Sequence, residues 1–335
     1  MRLGFNFVNG TNDTDTPLDE LLTFSAQYGA TDVVLQSYTG MGVGDRWAVV
    51  PGEERWELSD LEALRKRVEA HGLHLEALEN VPSAFYDQIM LGGPKRDEQI
   101  ENMIYTVRNI ARAGIPIFGY NWMPSMVWRT EPAIIRCGTV ATAFDYEEAQ
   151  KLPLTHDREY DEEEMWGNLE YWIKIITPIA EEEGIRLGIH PCDPPVEKLG
   201  GIPQLLRSFG SYRRLIEIYP SDSNAIEFCQ GTFSEMQGDD IYDMIRYFGE
   251  RHKIMYVHFR NVSGQVPKFH EEFINTGYVD MHKAMTIYNE VGFDGFFIDD
   301  HVPQTYQDTE WGHRGRAFAN GYIQAMIEAV TKQAG

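Results

Sequence analysis

Glu162–Glu183, then Gly184, then Arg186-Leu187-Gly188-Ile189-His190, then Pro191: this stretch decides how the rest of the chain is read. A long amphipathic run is closed by a glycine, and a short β-prone run is stopped by a proline. A helix C-terminus often needs a residue with positive φ, which glycine supplies, and proline cannot continue a central strand. Both boundaries of a helix–glycine–strand unit are thus written in residue chemistry. The unit recurs, because Gly29, Gly72, Gly114 and Gly292 also stand just past a helical run and shortly before a strand.

Working outward, the same pattern predicts strands over 3–8, 32–35, 74–79, 117–120, 186–190, 225–228, 254–258 and 295–299. Helices are expected over 18–28, 60–71, 98–113, 162–183, 203–218, 239–248, 281–290 and 316–332. Thr16-Pro17 marks the first helix start, and Ser59-Asp60 with Glu62 marks the second. Strands that alternate with helices predict a parallel sheet. Eight such units in 335 residues predict a closed (β/α)8 barrel, an α/β fold in a single domain. An open doubly wound sheet would carry a dinucleotide fingerprint. Gly40-Met41-Gly42-Val43-Gly44 is no such fingerprint, since Asp45-Arg46-Trp47 and Pro51-Gly52 follow it instead of a helix start. It is read as a flexible loop, and residues 37–58 and 123–161 are expected to be long βα loops over the C-terminal mouth, where such loops shape a site.

Charge limits the partners. The chain has 52 acidic against 29 basic residues, a formal net charge of -23, which argues against nucleic acid or an anionic membrane surface. No segment approaches the length of a membrane span, and the first strand begins without a signal-like apolar stretch. Cys137, Cys192 and Cys229 are too few and scattered for a disulfide framework, so a reducing, cytoplasmic setting is expected. Barrels of this size often pair, and a homo-oligomer is expected.

Four islands end predicted strands in residues that ligate metals: Ile189-His190-Pro191, Phe228-Cys229-Gln230-Gly231-Thr232, Val257-His258-Phe259-Arg260-Asn261 and Ile298-Asp299-Asp300-His301. In a (β/α)8 barrel the C-terminal strand ends open onto one face, so these residues meet although distant in sequence. Two imidazoles, a thiolate and a carboxylate suit a divalent first-row transition metal, and a thiolate disfavours Mg or Ca. Spacing leaves Cys192 open as a rival to Cys229, and Asp299 as a rival to Asp300.

At these residues the chain resembles the D-mannonate dehydratases, within the wider xylose-isomerase-like barrel group. The resemblance is carried by Tyr120-Asn121-Trp122-Met123-Pro124, His190-Pro191-Cys192-Asp193-Pro194-Pro195, Cys229-Gln230-Gly231, His258-Phe259-Arg260-Asn261 and Asp300-His301, from about the third strand to the last helix. It implies metal ligands at His190, Cys229, His258 and Asp300, with Mn²⁺ or Fe²⁺ bound. It also implies dehydration of a sugar acid, D-mannonate losing water to give 2-keto-3-deoxy-D-gluconate. His301, beside Asp300, is the candidate acid/base, since an imidazole titrates near working pH. Arg260 is a candidate clamp for the substrate carboxylate. Asn261 and Asn121 are candidates to read its hydroxyls, Glu79 to accept one or to support a ligand, Trp122 to wall the pocket and Arg316 to join them.

One departure stands out. The family's pattern has a Tyr close before the Gly-Arg-Ala of the last helix, where this chain reads Trp311-Gly312-His313-Arg314-Gly315-Arg316-Ala317. His313 or Tyr306 is then expected to act in its place. The alternatives are a metal-dependent isomerase, epimerase or lyase of the same barrel group, whose strand ends usually carry Glu and Asp instead of a thiolate, and a non-catalytic sugar-acid-binding barrel.

Overall fold

Eight short parallel strands close into a ring in the computed structural model of this chain, which describes residues 1–8, 18–36 and 50–333. They are β1 (Arg2–Val8), β2 (Asp32–Gln36), β3 (His74–Glu79), β4 (Ile117–Asn121), β5 (Arg186–His190), β6 (Asn224–Cys229), β7 (Ile254–His258) and β8 (Phe296–Ile298). Each pairs with its sequence neighbours, and β1 closes the ring on β8 through Arg2 opposite Phe296 and Leu3 opposite Phe297. The surrounding helices are α1 (Leu18–Gln27), α2 (Leu58–Glu69), α3 (Arg96–Arg112), α4 (Glu162–Glu183), α5 (Phe209–Ile218), α6 (Ile241–Gly249), α7 (Met281–Glu290) and α8 (His313–Gln333). This is the single-domain (β/α)8 barrel that the helix–glycine–strand recurrence predicts.

The strands form because they can bury both faces. On β6, Ala225 belongs to a small interior cluster with Val34, Ala77, Ile117, Met255, Tyr256, Phe296 and Ile298, while Ile226 and Phe228 join the large apolar layer beneath the helices. Side chains alternate between faces, so Glu227 and Cys229 share the inward face with Ala225. The five expected cap glycines all have positive φ, from 70° at Gly184 to 86° at Gly29.

Two helix starts differ from expectation. Helix α5 begins at Phe209 instead of residue 203, because Lys198–Leu199 and Ile202–Pro203 pair as a small hairpin and Ser208 forms a capping box with Ser211. Helix α2 begins at Leu58 with Glu57 at the cap position and no side-chain cap, so Ser59-Asp60 lies inside it. The expected signal at Thr16-Pro17 and the Gly40–Gly44 loop, numbered 40–44, lie outside the described residues.

Segment 123–161, the connection from β4 to α4, is more ordered than an irregular loop. Ala133–Ile134 pairs with Val140–Ala141, and Ala143–Asp145 pairs with Lys268–His270 from the β7–α7 connection. Among the described residues no helix is long and apolar enough to cross a membrane.

Candidate metal centre

His190, Cys229 and His258 are the last residues of β5, β6 and β7, and their ligand atoms lie within 4.8 Å of one another. Asp300 follows β8 by two residues and points into the same cluster. Its Oδ2 is 3.4 Å from His258 Nδ1 and 3.8 Å from Cys229 Sγ. All four residues are buried. Asp300 adopts φ 56°, a left-handed conformation that a short polar side chain tolerates, and this turns its carboxylate inward. Asp299 faces away, with Oδ2 3.0 Å from Arg316 Nη1. Cys192 is also turned elsewhere: its sulfur accepts the Leu206 N–H at 3.4 Å, and burial pushes its thiol up to about 12.

The two imidazoles are held in complementary ways. His190 Nδ1 sits 2.7 Å from the carbonyl of Pro191, so it carries a proton and donates, which makes Nε2 the nitrogen that can bind a metal once it is deprotonated. His258 Nε2 is 3.1 Å from Glu79 Oε2 and 3.1 Å from Glu227 Oε1, so here the proton belongs on Nε2. His258 Nδ1 faces Asp300 Oδ2 at 3.4 Å without a hydrogen bond of regular geometry among the described residues, and it becomes a free electron-pair donor once the ring gives up its second proton. Such a buried nitrogen beside a thiol and a carboxylate fits a bound cation of the transition-metal type.

The electrostatics favour charged donors. Burial opposes ionisation of Cys229, but the Arg260 guanidinium and the neighbouring imidazoles outweigh it and bring the thiol down to about 5. Burial likewise opposes charge on His190, and the Glu227 carboxylate with the Cys229 thiolate raises it to about 10. His258 is pushed well up against burial by Asp300, Glu79 and Glu227. Asp300 is held well below the carboxylate range by His301, His258 and Arg260, again against burial. Without a cation, protons on the two imidazoles balance the acidic groups around them.

The D-mannonate dehydratase (UxuA) family profile matches residues 22–156 and 148–335. The chain belongs to this family. A mannonate dehydratase of Streptococcus uberis is 33% identical over 85% of this chain and 90% of its own length, and mannonate dehydratase 2 of Halalkalibacterium halodurans is 30% identical over 82% and 88%. The crystal structure of mannonate dehydratase from Streptococcus suis serotype 2 superposes with a TM-score of 0.87 at 28% identity, covering 100% of this chain and 95% of that one. An L-ribulose 3-epimerase superposes at 0.60 with 13% identity, over 99% of this chain and 96% of that one, a likeness of fold.

Within this member of the D-mannonate dehydratase family, several expected substrate contacts are spent on the protein itself. All five N–H groups of Arg260 have partners: Nε on Asp300 at 3.0 Å, Nη1 on Glu235 and Glu271 at 2.9 Å each, and Nη2 on Asp193 and Thr232 at 2.9 Å each. The expectation of a carboxylate clamp is corrected accordingly, since no fork is left for a ligand. Asn261 donates to Ile274 and Val279 carbonyls and accepts from the Val262 and Val279 N–H groups, so it ties down its own loop instead of reading a hydroxyl. Arg316 is buried and donates to Asn6, Asp299, the Asp300 carbonyl and the Trp311 carbonyl, so it holds the Asp299–Asp300 turn from behind. Glu79 lies beneath His258 at the barrel interior and also accepts from Gln36 and Tyr256.

Other expected residues keep their place or lose it. His301 stands at the rim with its side chain 39% exposed and Nε2 3.7 Å from Asp300 Oδ2. Asn121 donates to Asn80 and accepts from the Tyr86 hydroxyl and the Met123 N–H, and Trp122 beside it is buried. His313 is not brought to the cluster: as the first residue of α8 it packs edge-on against Phe24 of α1 and bonds Thr309 at 2.6 Å. Tyr306 is 82% exposed and equally remote in its contacts. Sequence reasoning missed Glu227, fully buried at the heart of the site, and the carboxylates Asp193, Glu235 and Glu271 around Arg260. A lone Glu inside the apolar run Ala225-Ile226-Glu227-Phe228 was the available signal for the first.

Proposed function

We propose that this chain dehydrates D-mannonate to 2-keto-3-deoxy-D-gluconate and water, with Mn²⁺ or Fe²⁺ held by His190, Cys229, His258 and Asp300. The observation that carries the reading is the convergence of the His190, Cys229 and His258 ligand atoms within 4.8 Å of one another, with Asp300 Oδ2 3.4 Å from His258 Nδ1. A thiolate donor selects a transition metal over Mg or Ca. When bound, the cation supplies Lewis acidity: it lowers the barrier to losing the C2 proton and stabilises the negative charge that develops. The chain's own residues do the rest. His301, next to Asp300 and open to solvent, takes the C2 proton as base and hands it on to the C3 hydroxyl, which leaves as water. Asn121 and Trp122 at the end of β4 face the substrate as hydroxyl partner and wall, and segment 123–161 covers the mouth. Arg260, Asn261 and Arg316 act on the protein frame, and the sugar acid is met by other groups. Free, buried thiols at Cys192 and Cys229 fit a reducing cytoplasm.

The test is turnover. Metal-loaded protein is incubated with D-mannonate, a panel of other aldonates and neutral ketoses, and a 2-keto-3-deoxy acid is assayed. Product from D-mannonate that disappears on metal stripping is expected. Activity confined to neutral ketoses would replace this reading with that of an isomerase or epimerase.

A further inference from the structure

Two ligand imidazoles in one site are oriented by different devices. His190 is held by a backbone carbonyl, which any sequence could offer. His258 faces two carboxylates at equal distance, Glu79 and Glu227, both fully buried inside the barrel. Burying two acids against one N–H is costly unless it serves something, because each charge leaves water for an interior of low polarity. Glu79 is well satisfied, with Gln36 on Oε1 and Tyr256 at 3.3 Å on Oε2 besides His258. Glu227 has fewer partners: its Oε1 lies 3.1 Å from His258 Nε2 and 3.8 Å from His190 Nε2, and neither oxygen accepts a hydrogen bond of regular geometry among the described residues. The barrel also reserves space for the pair. A Cβ on Gly119 of β4 would come within 2.7 Å of Glu227 Oε2 and would also collide with the Tyr256 hydroxyl.

We propose that Glu79 and Glu227 are positioning residues for the metal: together they keep the proton of His258 on Nε2, aim the ring, and so present the Nδ1 lone pair to the ion. A carboxylate behind an imidazole makes it a stronger donor, and the burial of Glu227 against His258 serves that effect. The inference rests on the reading of His258 as a ligand.

Glu79→Gln and Glu227→Gln, made separately, test it. Each metal-stripped protein is titrated with Mn²⁺ against a competing chelator, its Co²⁺ form is examined for the thiolate charge-transfer band, and its metal-free melting temperature is measured. Both variants are expected to bind Mn²⁺ about 10–100-fold more weakly. The Co²⁺ thiolate band is expected to persist at saturation. Metal-free Glu227→Gln is expected to stay folded and melt close to the parent, since a side chain of the same size and an amide oxygen still face the His258 N–H at that position. Affinities within twofold of the parent would overturn the proposal, as would variants that fail to fold without metal, because the pair would then be structural. If the parent itself takes up neither Mn²⁺ nor Co²⁺, the metal reading falls and this inference falls with it.

Discussion

The two ends of this barrel use the same charged residue types in opposite ways. At the base, Arg186 donates to the His252 and Asp222 carbonyls and Lys253 to the Ser221 and Asn224 carbonyls, while Arg2, 43% exposed, pairs with Asp32 at 2.9 Å. These cations close off backbone groups at the strand starts. At the mouth, Arg260 is 1% exposed and four of its five partners are carboxylates, one of them the Asp300 that faces the candidate metal cluster. The fifth is Thr232, whose hydroxyl donates to Cys229 Sγ at 3.2 Å. One guanidinium thus reaches two donors of the site, directly or through one hydroxyl. Stability is served at one end and geometry at the other, the usual division of labour in a (β/α)8 barrel.

The sharpest way to break that contrast is a pair of exposed histidines. His301→Ala at the mouth is expected to lower kcat for mannonate by about 10²–10⁴-fold, the range of a lost general acid, with metal content unchanged. His252→Ala at the base is expected to leave kcat within about twofold, as surface changes away from a site generally do. Equal effects in steady-state assays would remove His301 from the chemistry.

Next comes the anchor itself. Arg260→Met takes the guanidinium away from Glu235 and leaves Asp193 and Glu271 to Arg129, which bonds them at 2.7 and 3.3 Å, and breaking a buried ionic network in this way costs about 3–5 kcal/mol. Arg260→Lys keeps the charge and loses the fork, so an intermediate loss is expected. Gly231 belongs to the same device, for a Cβ there would come within 2.5 Å of the guanidinium carbon. Urea unfolding of the metal-free proteins measures these costs. A loss below about 1 kcal/mol for Arg260→Met would place the mouth in the same class as an exposed surface pair.

Metal uptake adds a pH signature that the base has no counterpart for. His190 is raised to about 10 and His258 well above its ordinary value, so both rings are protonated at neutral pH without metal, and binding must expel those protons. Cys229, down at about 5, is already a thiolate and contributes nothing above pH 6. Affinity for Mn²⁺ is therefore expected to rise by about tenfold or more per pH unit between pH 6 and 8. Titration calorimetry in buffers of different ionisation enthalpy counts the protons released. A flat profile would mean that the rings are neutral before the metal arrives.

How much of this was legible in the sequence follows from the range of the forces involved. The strands were readable because two-sided burial writes continuous apolar runs, and Gly184 or Gly29 marks where each helix must end. His190, Cys229 and His258 were readable because a strand end in a barrel points to one place. The choice between Asp299 and Asp300 was not, since it turns on the φ of 56° at one residue. Arg260 was misread because its partners Asp193, Glu235 and Glu271 come from three separate connections, and no spacing reveals that they converge. His313 was misread because the rotation of α8 about its axis, set by packing against Phe24, decides where its first residue points.

The smallest expected effect closes the contrast at the base. Arg2 bonds Asp32 at 2.9 Å, reaches Glu76 at 3.7 Å and donates to the Asp294 carbonyl at 3.1 Å, a richer set of contacts than many surface arginines have. With its side chain 43% exposed, water screens each of these bonds and replaces them on removal. Arg2→Ala is therefore expected to cost below about 1 kcal/mol in urea unfolding and to leave kcat and metal affinity unchanged. Asp32, only 2% exposed, retains the Thr31 hydroxyl at 2.5 Å when Arg2 is gone, so it is not stranded as Glu235 is without Arg260. A cost near that of Arg260→Met would show that burial of the carboxylate alone, and not of the pair, sets the energy of these networks.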